Sequence, residues 1–187
     1  MGLPSARLDL SAFLEWENVQ TDRNEYFRGE VFAMVGARRV HGIVAGNMFG
    51  ALLSHLRGQP CRAFTESYKV QVGDDAMFYP DVFVTCDRRD LATEMIFRHP
   101  LLVVEVLSEG TQSFDRGLKF AAYRQIDALR EYVLIDPDLK RCEVYRRNER
   151  GNFELLDFSG SEAMVLDSVG LTLPMAEVFD GLAPPAA

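Results

Sequence analysis

The chain lacks the features that would place it in a membrane or outside the cell. No apolar run approaches the roughly 20 residues of a membrane-spanning helix, so no membrane partner is expected. The opening Met-Gly-Leu-Pro-Ser-Ala-Arg has no apolar segment behind its charge, so a secretion signal is not expected either. Cysteine is scarce, with three residues (Cys61, Cys86, Cys142) that are odd in number and widely spaced. Two of them lie inside apolar stretches, where a small buried hydrophobe is a better reading than a disulfide or a metal ligand. A reducing, cytoplasmic setting fits these observations. His41, His55 and His99 are equally scattered, and no Cys/His spacing suits zinc.

Positive charge is also in deficit. Twenty-eight acids against 20 bases leave a net charge of −8, the opposite of the basic footprint of a general double-helix binder. An acidic metal site would account for part of the excess, and one stretch (Lys140, Arg141, Arg146, Arg147, Arg150) is locally positive. Repeats, low-complexity segments, internal linkers and a Gly-rich phosphate loop are all missing. What remains is the composition of an ordinary globular protein. Thirteen Phe and six Tyr in a chain that is 48% apolar leave no room for a disordered reading. At 187 residues the chain is expected to be one domain over 1–187, with a core over about 8–180 and loose ends at 1–6 and 183–187.

Periodicity places the elements. Leu10 to Val19 reads as a short helix with Phe13, Leu14 and Trp16 inward and Ser11 as cap. Two β-favouring runs flank Arg28-Gly29, a hairpin signal over Glu25 to Met34. Ile43, Met48, Leu52, Leu53 and Leu56 recur at helical spacing and predict a helix over Arg39–Leu56, closed by Gly58 and Pro60. Strands are expected over Cys61–Val72, Tyr79–Cys86 and Leu101–Leu107, the last apolar enough to be covered on both faces. A helix over Phe114–Ile126 and a strand over Glu131–Ile135 complete a βαβ unit. Cys142 to Arg147 should return antiparallel, Phe153–Phe158 and Met164–Val169 add short strands, and Pro174–Phe179 a last helical turn. The fold class is α/β, a mixed central sheet flanked by helices.

Three residues carry the candidate chemistry. Glu105 shares a strand face with Leu101, Val103 and Leu107, where an unpaired carboxylate costs several kcal/mol and needs a cation, donors or a proton. The alternative is a strand-edge Glu that reaches solvent or an arginine. Asp81 heads the run Val82-Phe83-Val84; alone it would be a turn residue, but two acids on neighbouring strands can converge on one Mg²⁺. Lys119 lies on the helical stripe of Asp115, Ala122, Tyr123 and Ile126, so it either points toward the sheet or forms a surface ion pair with Asp115. Tyr123 reads as a packing aromatic with a satisfied hydroxyl.

These residues carry a resemblance. Tyr-Pro-Asp81-Val-Phe-Val, Leu-Val-Val-Glu105-Val-Leu-Ser108, then Thr111, Asp115, Lys119 and Tyr123, then Glu-Tyr-Val-Leu-Ile-Asp136-Pro, resemble the Uma-two restriction-endonuclease family. The upstream Glu-Tyr-Phe-Arg-Gly-Glu-Val-Phe-Ala-Met, with His41 behind it, is similar to that family's opening, and the match runs from about Leu8 to Phe179. The resemblance implies a PD-(D/E)XK nuclease-like core and cleavage of phosphodiester bonds with Mg²⁺ or Mn²⁺. It implies Asp81 and Glu105 as metal-holding acids and a nucleic-acid substrate, DNA first. One departure stands out, because the family motif's lysine position, two residues after Glu105, holds Leu107. The resemblance then selects Lys119, from the following helix, as the missing amine. Glu30 and Glu66 are accessory acids in this scheme, each with a surface role as the plainer reading. His41 opens a helix, where a structural hydrogen bond explains it. The many strands call for covered edges and suggest a homodimer. Two other readings stand beside the nuclease: a binding or regulatory protein on a degenerate nuclease fold, and a metal-dependent hydrolase of another substrate.

Overall fold

A computed structural model describes residues 7–34 and 36–182; the expected loose ends at 1–6 and 183–187 lie outside the described residues. The chain opens with helix α1 (Leu10–Glu17). Its N-cap is Asp9, which accepts the Ala12 N–H at 2.8 Å; Ser11, the expected cap, already lies within the helix. The hairpin follows as β1 (Asn24–Phe27) and β2 (Glu30–Ala33), with Asn24 opposite Ala33 and Phe27 opposite Glu30. Both turn residues take positive φ, Arg28 at 48° and Gly29 at 92°, as a two-residue turn of the twist-matching type requires.

Helix α2 (Arg39–His55) buries Val44, Met48 and Leu52, each worth roughly 1.5–3 kcal/mol in area removed from water. Met48, Leu52 and Leu56 are buried as expected, whereas Val44 replaces Ile43 and Leu53 is exposed. The run expected as one strand over Cys61–Val72 is two strands. β3 (Arg62–Thr65) and β4 (Lys69–Val72) part at Glu66-Ser67 and join different sheets. A short strand outside the expected ones, β5 (Ala76–Phe78), joins the sheet of β4, and the strand expected over Tyr79–Cys86 is β6 (Val82–Thr85), in the sheet of β3.

After a short helix α3 (Arg88–Leu91) and strand β7 (Ile96–Phe97), β8 (Leu102–Val106) is buried along its whole length. A helix over 112–123, α4, contains one π turn at Asp115–Lys119 between the α-helical segments Gln112–Phe114 and Phe120–Tyr123. It leads to β9 (Glu131–Asp136), which pairs parallel with β8 as the βαβ reading requires. β10 (Arg141–Arg147), β11 (Phe153–Asp157), β12 (Ala163–Leu166), β13 (Leu171–Pro174) and helix α5 (Met175–Val178) complete the order.

The expected single sheet is therefore two larger ones and a ribbon. One has the order β2-β1-β5-β4-β7, the second β11-β10-β9-β8-β6-β3, and β12 pairs with β13. On one face of the six-stranded sheet Val82, Val84, Val104 and Val106 pack with α2, β12, β13 and α5. On the other face Phe83, Val103, Leu107 and Tyr132 pack with Val70, Phe78 and Tyr123, from the five-stranded sheet and α4. Helix α1 covers a smaller cluster around Phe13, Tyr26 and Met77. The mixed α/β class is as expected.

Cys61 and Cys86 are joined in a disulfide, which corrects the reading of the cysteines as separate small hydrophobes. The reason lies in the register. β3 and β6 pair antiparallel with Arg62 opposite Thr85, so the residues flanking that pair face one another, although they are 25 apart in the chain. Cys142 remains free and buried, and burial pushes its thiol up to about 12.

Candidate active site

Asp81 and Glu105 come together through strand register. β6 and β8 pair antiparallel with Val82 opposite Val104, and one step further along the ladder lie Asp81 and Glu105. Asp81 precedes the strand proper, which frees its carboxylate to turn over the end of β8. Its Oδ2 accepts the Val106 N–H at 2.7 Å and lies 3.2 Å from His41 Nε2, at the start of α2. The hydrogen bond to Asp81 raises the pKa of His41 and outweighs the opposing effect of burial. Glu105 is deeper, only 3% exposed, and burial raises its pKa well above the carboxylate range despite the attraction of Lys119.

Lys119 meets Glu105 from α4. A π turn carries an extra residue relative to α-helix and resets which side chains share a face; such turns are frequent at functional sites. Here it brings both Asp115 and Lys119 to the buried side, at 3% and 5% exposure. The Asp115 carbonyl accepts the Tyr132 hydroxyl of β9 at 2.9 Å, which ties the turn to the sheet. The Lys119 ammonium lies 2.9 Å from Glu25 Oε1, 3.1 Å from Glu105 Oε1 and 3.5 Å from Asp115 Oδ1, with the Phe78 ring 5.6 Å away. Burial opposes its charge, but the three carboxylates outweigh burial and hold its pKa well above normal. The two expected positions for Lys119 are thus combined: it pairs with Asp115, but inside the protein and together with Glu105.

Glu25 is the residue that sequence reasoning missed. It sits on β1, buried, and accepts the Tyr79 N–H at 3.0 Å as well as facing Lys119. Burial raises its pKa even against these two partners. A signal was present, since Glu25 alternates onto the same face as Phe27, which packs into the core. Glu30, chosen from the same hairpin, sits beside the turn and pairs with Arg7 at 3.1 Å on the surface. Glu66 likewise forms a surface pair with Arg23 at 3.8 Å. Neither joins the buried group.

Three carboxyl groups face one ammonium, and burial favours the protonated forms of Glu105 and Glu25. Two polar atoms there are buried without a hydrogen bond, Glu105 Oε1 and the Tyr123 hydroxyl. Lys119 is close enough to Glu105 Oε1 for an ion pair but not aligned to donate to it. Tyr123 is fully buried, so its hydroxyl is not satisfied as expected. Among the described residues no group of three or more His, Cys, Asp or Glu is arranged to hold an ion. The basic stretch is not a free footprint. Arg141 pairs with Glu143 and Asp157, Arg146 with Glu131, and Arg147 donates to the carbonyls of Arg124 and Ile126.

The sequence profile of the Uma2 family, described as "Putative restriction endonuclease", matches residues 10–176. The chain belongs to the Uma2 family. Two proteins of Synechocystis sp., both described as uncharacterized, are similar to it along nearly their whole length. One is 33% identical over 181 residues, covering 96% of this chain and 95% of the relative. The other is 28% identical over 161 residues, covering 84% and 91%. A crystal structure from Anabaena variabilis, described as a "putative nuclease belonging to DUF820", superposes with a TM-score of 0.80 over 94% of this chain and 99% of that one, at 21% identity. The fold of the Uma2 chain is therefore the one seen in that structure. Among the described residues no helix is long and apolar enough to cross a membrane.

Proposed function

We propose that this Uma2 protein is an endonuclease that hydrolyses phosphodiester bonds of nucleic acid, DNA first, as one domain with one site per chain. Asp81, Glu105 and Lys119 are the catalytic residues. The observation that carries the reading is the 3.1 Å approach of the Lys119 ammonium to Glu105 Oε1. It brings an amine to the acid pair from a helix, although the strand position two residues after Glu105 is Leu107.

The acid pair suits a divalent cation. Two acids on neighbouring strands, whose closeness and burial penalise their charge, are what Mg²⁺ or Mn²⁺ would satisfy, with waters and a substrate phosphate in the remaining positions. When bound there, the ion would polarise the phosphate and acidify a water. The protein's own part is positional. Val106 N–H and His41 hold the Asp81 carboxylate in a fixed orientation. Glu25 and Asp115 keep Lys119 charged and in place, so that its ammonium faces the charge that develops on the phosphate. His41 and Tyr123 are accessory residues, the first by orienting Asp81 and the second as a buried hydroxyl donor beside the acids.

One observation favours a second reading. Lys119 is enclosed by three carboxylates at 5% exposure, an arrangement that also suits a structural ion cluster in a binding or regulatory protein that has lost cleavage. Mn²⁺-supported cleavage of single- and double-stranded DNA and RNA separates the two. The nuclease reading requires cleavage by the wild type that is absent in Asp81→Asn. A homodimer would present two sites to two strands, and light scattering at micromolar concentration should give twice the chain mass; a monomer there argues against the dimer.

A further inference from the structure

Outside the acid cluster, two depressions among the described residues differ in chemistry. One, about 460 Å³, lies between the β4–β5 turn and the segment after α4; Asp74 and Asp127 share it with Arg98 and His99, and no Phe, Tyr or Trp lines it. The other, about 480 Å³, lies between α4 and the β10–β11 hairpin. Both volumes fall within the roughly 300–1,000 Å³ of small-ligand clefts. The second is lined by Phe120, Tyr145 and Phe153, with exposed Leu155 and Asn152 at the hairpin and Arg124 on the helix. Its only charged residue is that arginine, in a chain with eight more acids than bases.

The rings form one connected group. Phe120 and Tyr145 have centroids 4.4 Å apart, and Phe120 and Phe153 stand edge to face at 5.5 Å. The Arg147 guanidinium lies 4.7 Å from the Phe153 centroid and is itself fixed by the carbonyls of Arg124 and Ile126, which holds that ring in place. The group is continuous with the candidate active site. Phe120 follows Lys119 on α4 and stacks at 5.2 Å on Tyr132, whose hydroxyl holds the π turn and whose ring neighbours Tyr123.

We infer that this cleft seats an unpaired base of a single-stranded segment of the substrate, with Arg124 on the adjoining phosphate. Aromatic faces take any base by stacking, and a guanidinium at the rim supplies the backbone contact. The inference rests on the proposed function for its substrate class, and names a seat for one base of that substrate.

The test is fluorescence anisotropy of the full chain with a labelled single-stranded 20-mer DNA and RNA in EDTA, where cleavage is suppressed. Arg124→Glu and Leu155→Glu change exposed side chains, so the fold should be kept, and each should weaken binding about tenfold or more. A 5-bromouracil-substituted oligonucleotide should photocrosslink to the peptides that carry Phe120, Tyr145 or Phe153. Unchanged affinity in both variants, or crosslinks mapped elsewhere, overturns the inference. If the variants instead turn a dimer into a monomer at constant affinity, the cleft is an interface between copies and the inference also fails. Binding through the cleft without Mn²⁺-supported cleavage would sink the nuclease reading alone; cleavage with cleft-independent binding would sink the inference alone.

Discussion

Lys119 Nζ lies 3.1 Å from Glu105 Oε1, a contact between a helix and a strand that local sequence spacing does not provide. If this amine serves the chemistry, Lys119→Ala should lower the cleavage rate by tens- to thousands-fold, about 2–4 kcal/mol, as for the loss of one preorganised donor. The same change leaves three buried carboxylates without their cation and should cost roughly 3–5 kcal/mol of stability. Lys119→Arg separates the effects: it keeps the charge and more of the stability, but its planar, bulkier head should not restore the rate. Circular dichroism melts beside cleavage assays decide, and a fully active Lys119→Arg would argue against a precisely placed amine.

Divalent ions should bind the wild type and raise its melting temperature, by about 2.7 kcal/mol of stability at a hundred times Kd. Asp81→Asn or Glu105→Gln should abolish this and leave the metal-free fold intact or firmer, since each removes a carboxyl group whose charge opposes ionisation of the other. Titration calorimetry with Mg²⁺ and Mn²⁺ is the measurement; wild-type affinity in either variant removes these residues from the site.

Glu25 sets a pH dependence. Burial lifts its folded-state pKa above the ordinary 4.5, so the folded chain holds this proton more tightly than the unfolded one. The stability it contributes is complete below about 4.5 and is lost as pH rises through the folded-state value. Glu25→Gln fixes the neutral form. The variant's melting temperature minus that of the wild type should therefore be flat in acid and grow toward neutral pH. Thermal melts across pH 4 to 8 test the sign, and a difference that shrinks with rising pH contradicts it.

Gly117 stands inside the π turn, exposed, with nothing within 4 Å of where a Cβ would sit and without a positive φ. Gly117→Ala should stabilise the chain by about 0.4–1 kcal/mol through the unfolded state and leave cleavage unchanged. A loss of activity at wild-type stability would mean that the turn must open during turnover.

Much of this architecture could be read from the chain. Glu105 was legible because it interrupts an apolar strand, Asp81 because β-pairing makes its partner meaningful, and β8–α4–β9 because a parallel pair needs a crossover. The break at Glu66-Ser67 was hidden, since alternation continues across it while the two halves enter different sheets. The Cys61–Cys86 link needed the β3–β6 register, a long-range fact. Glu25 was masked by Glu30, which lies on the same hairpin but at its solvent end. The π turn has no sequence marker, and without it the depth of Lys119 could not be set.

The buried cluster draws Glu25 from the five-stranded sheet, Glu105 from the six-stranded sheet and Lys119 from the helix that follows. During synthesis both acids emerge before the lysine, and the parallel partner of β8 emerges later still. A fragment that ends before β9 lacks the strand that pairs with β8. If the protein cuts nucleic acid, cutting power therefore arrives late in synthesis, with the docking of the two sheets around the lysine.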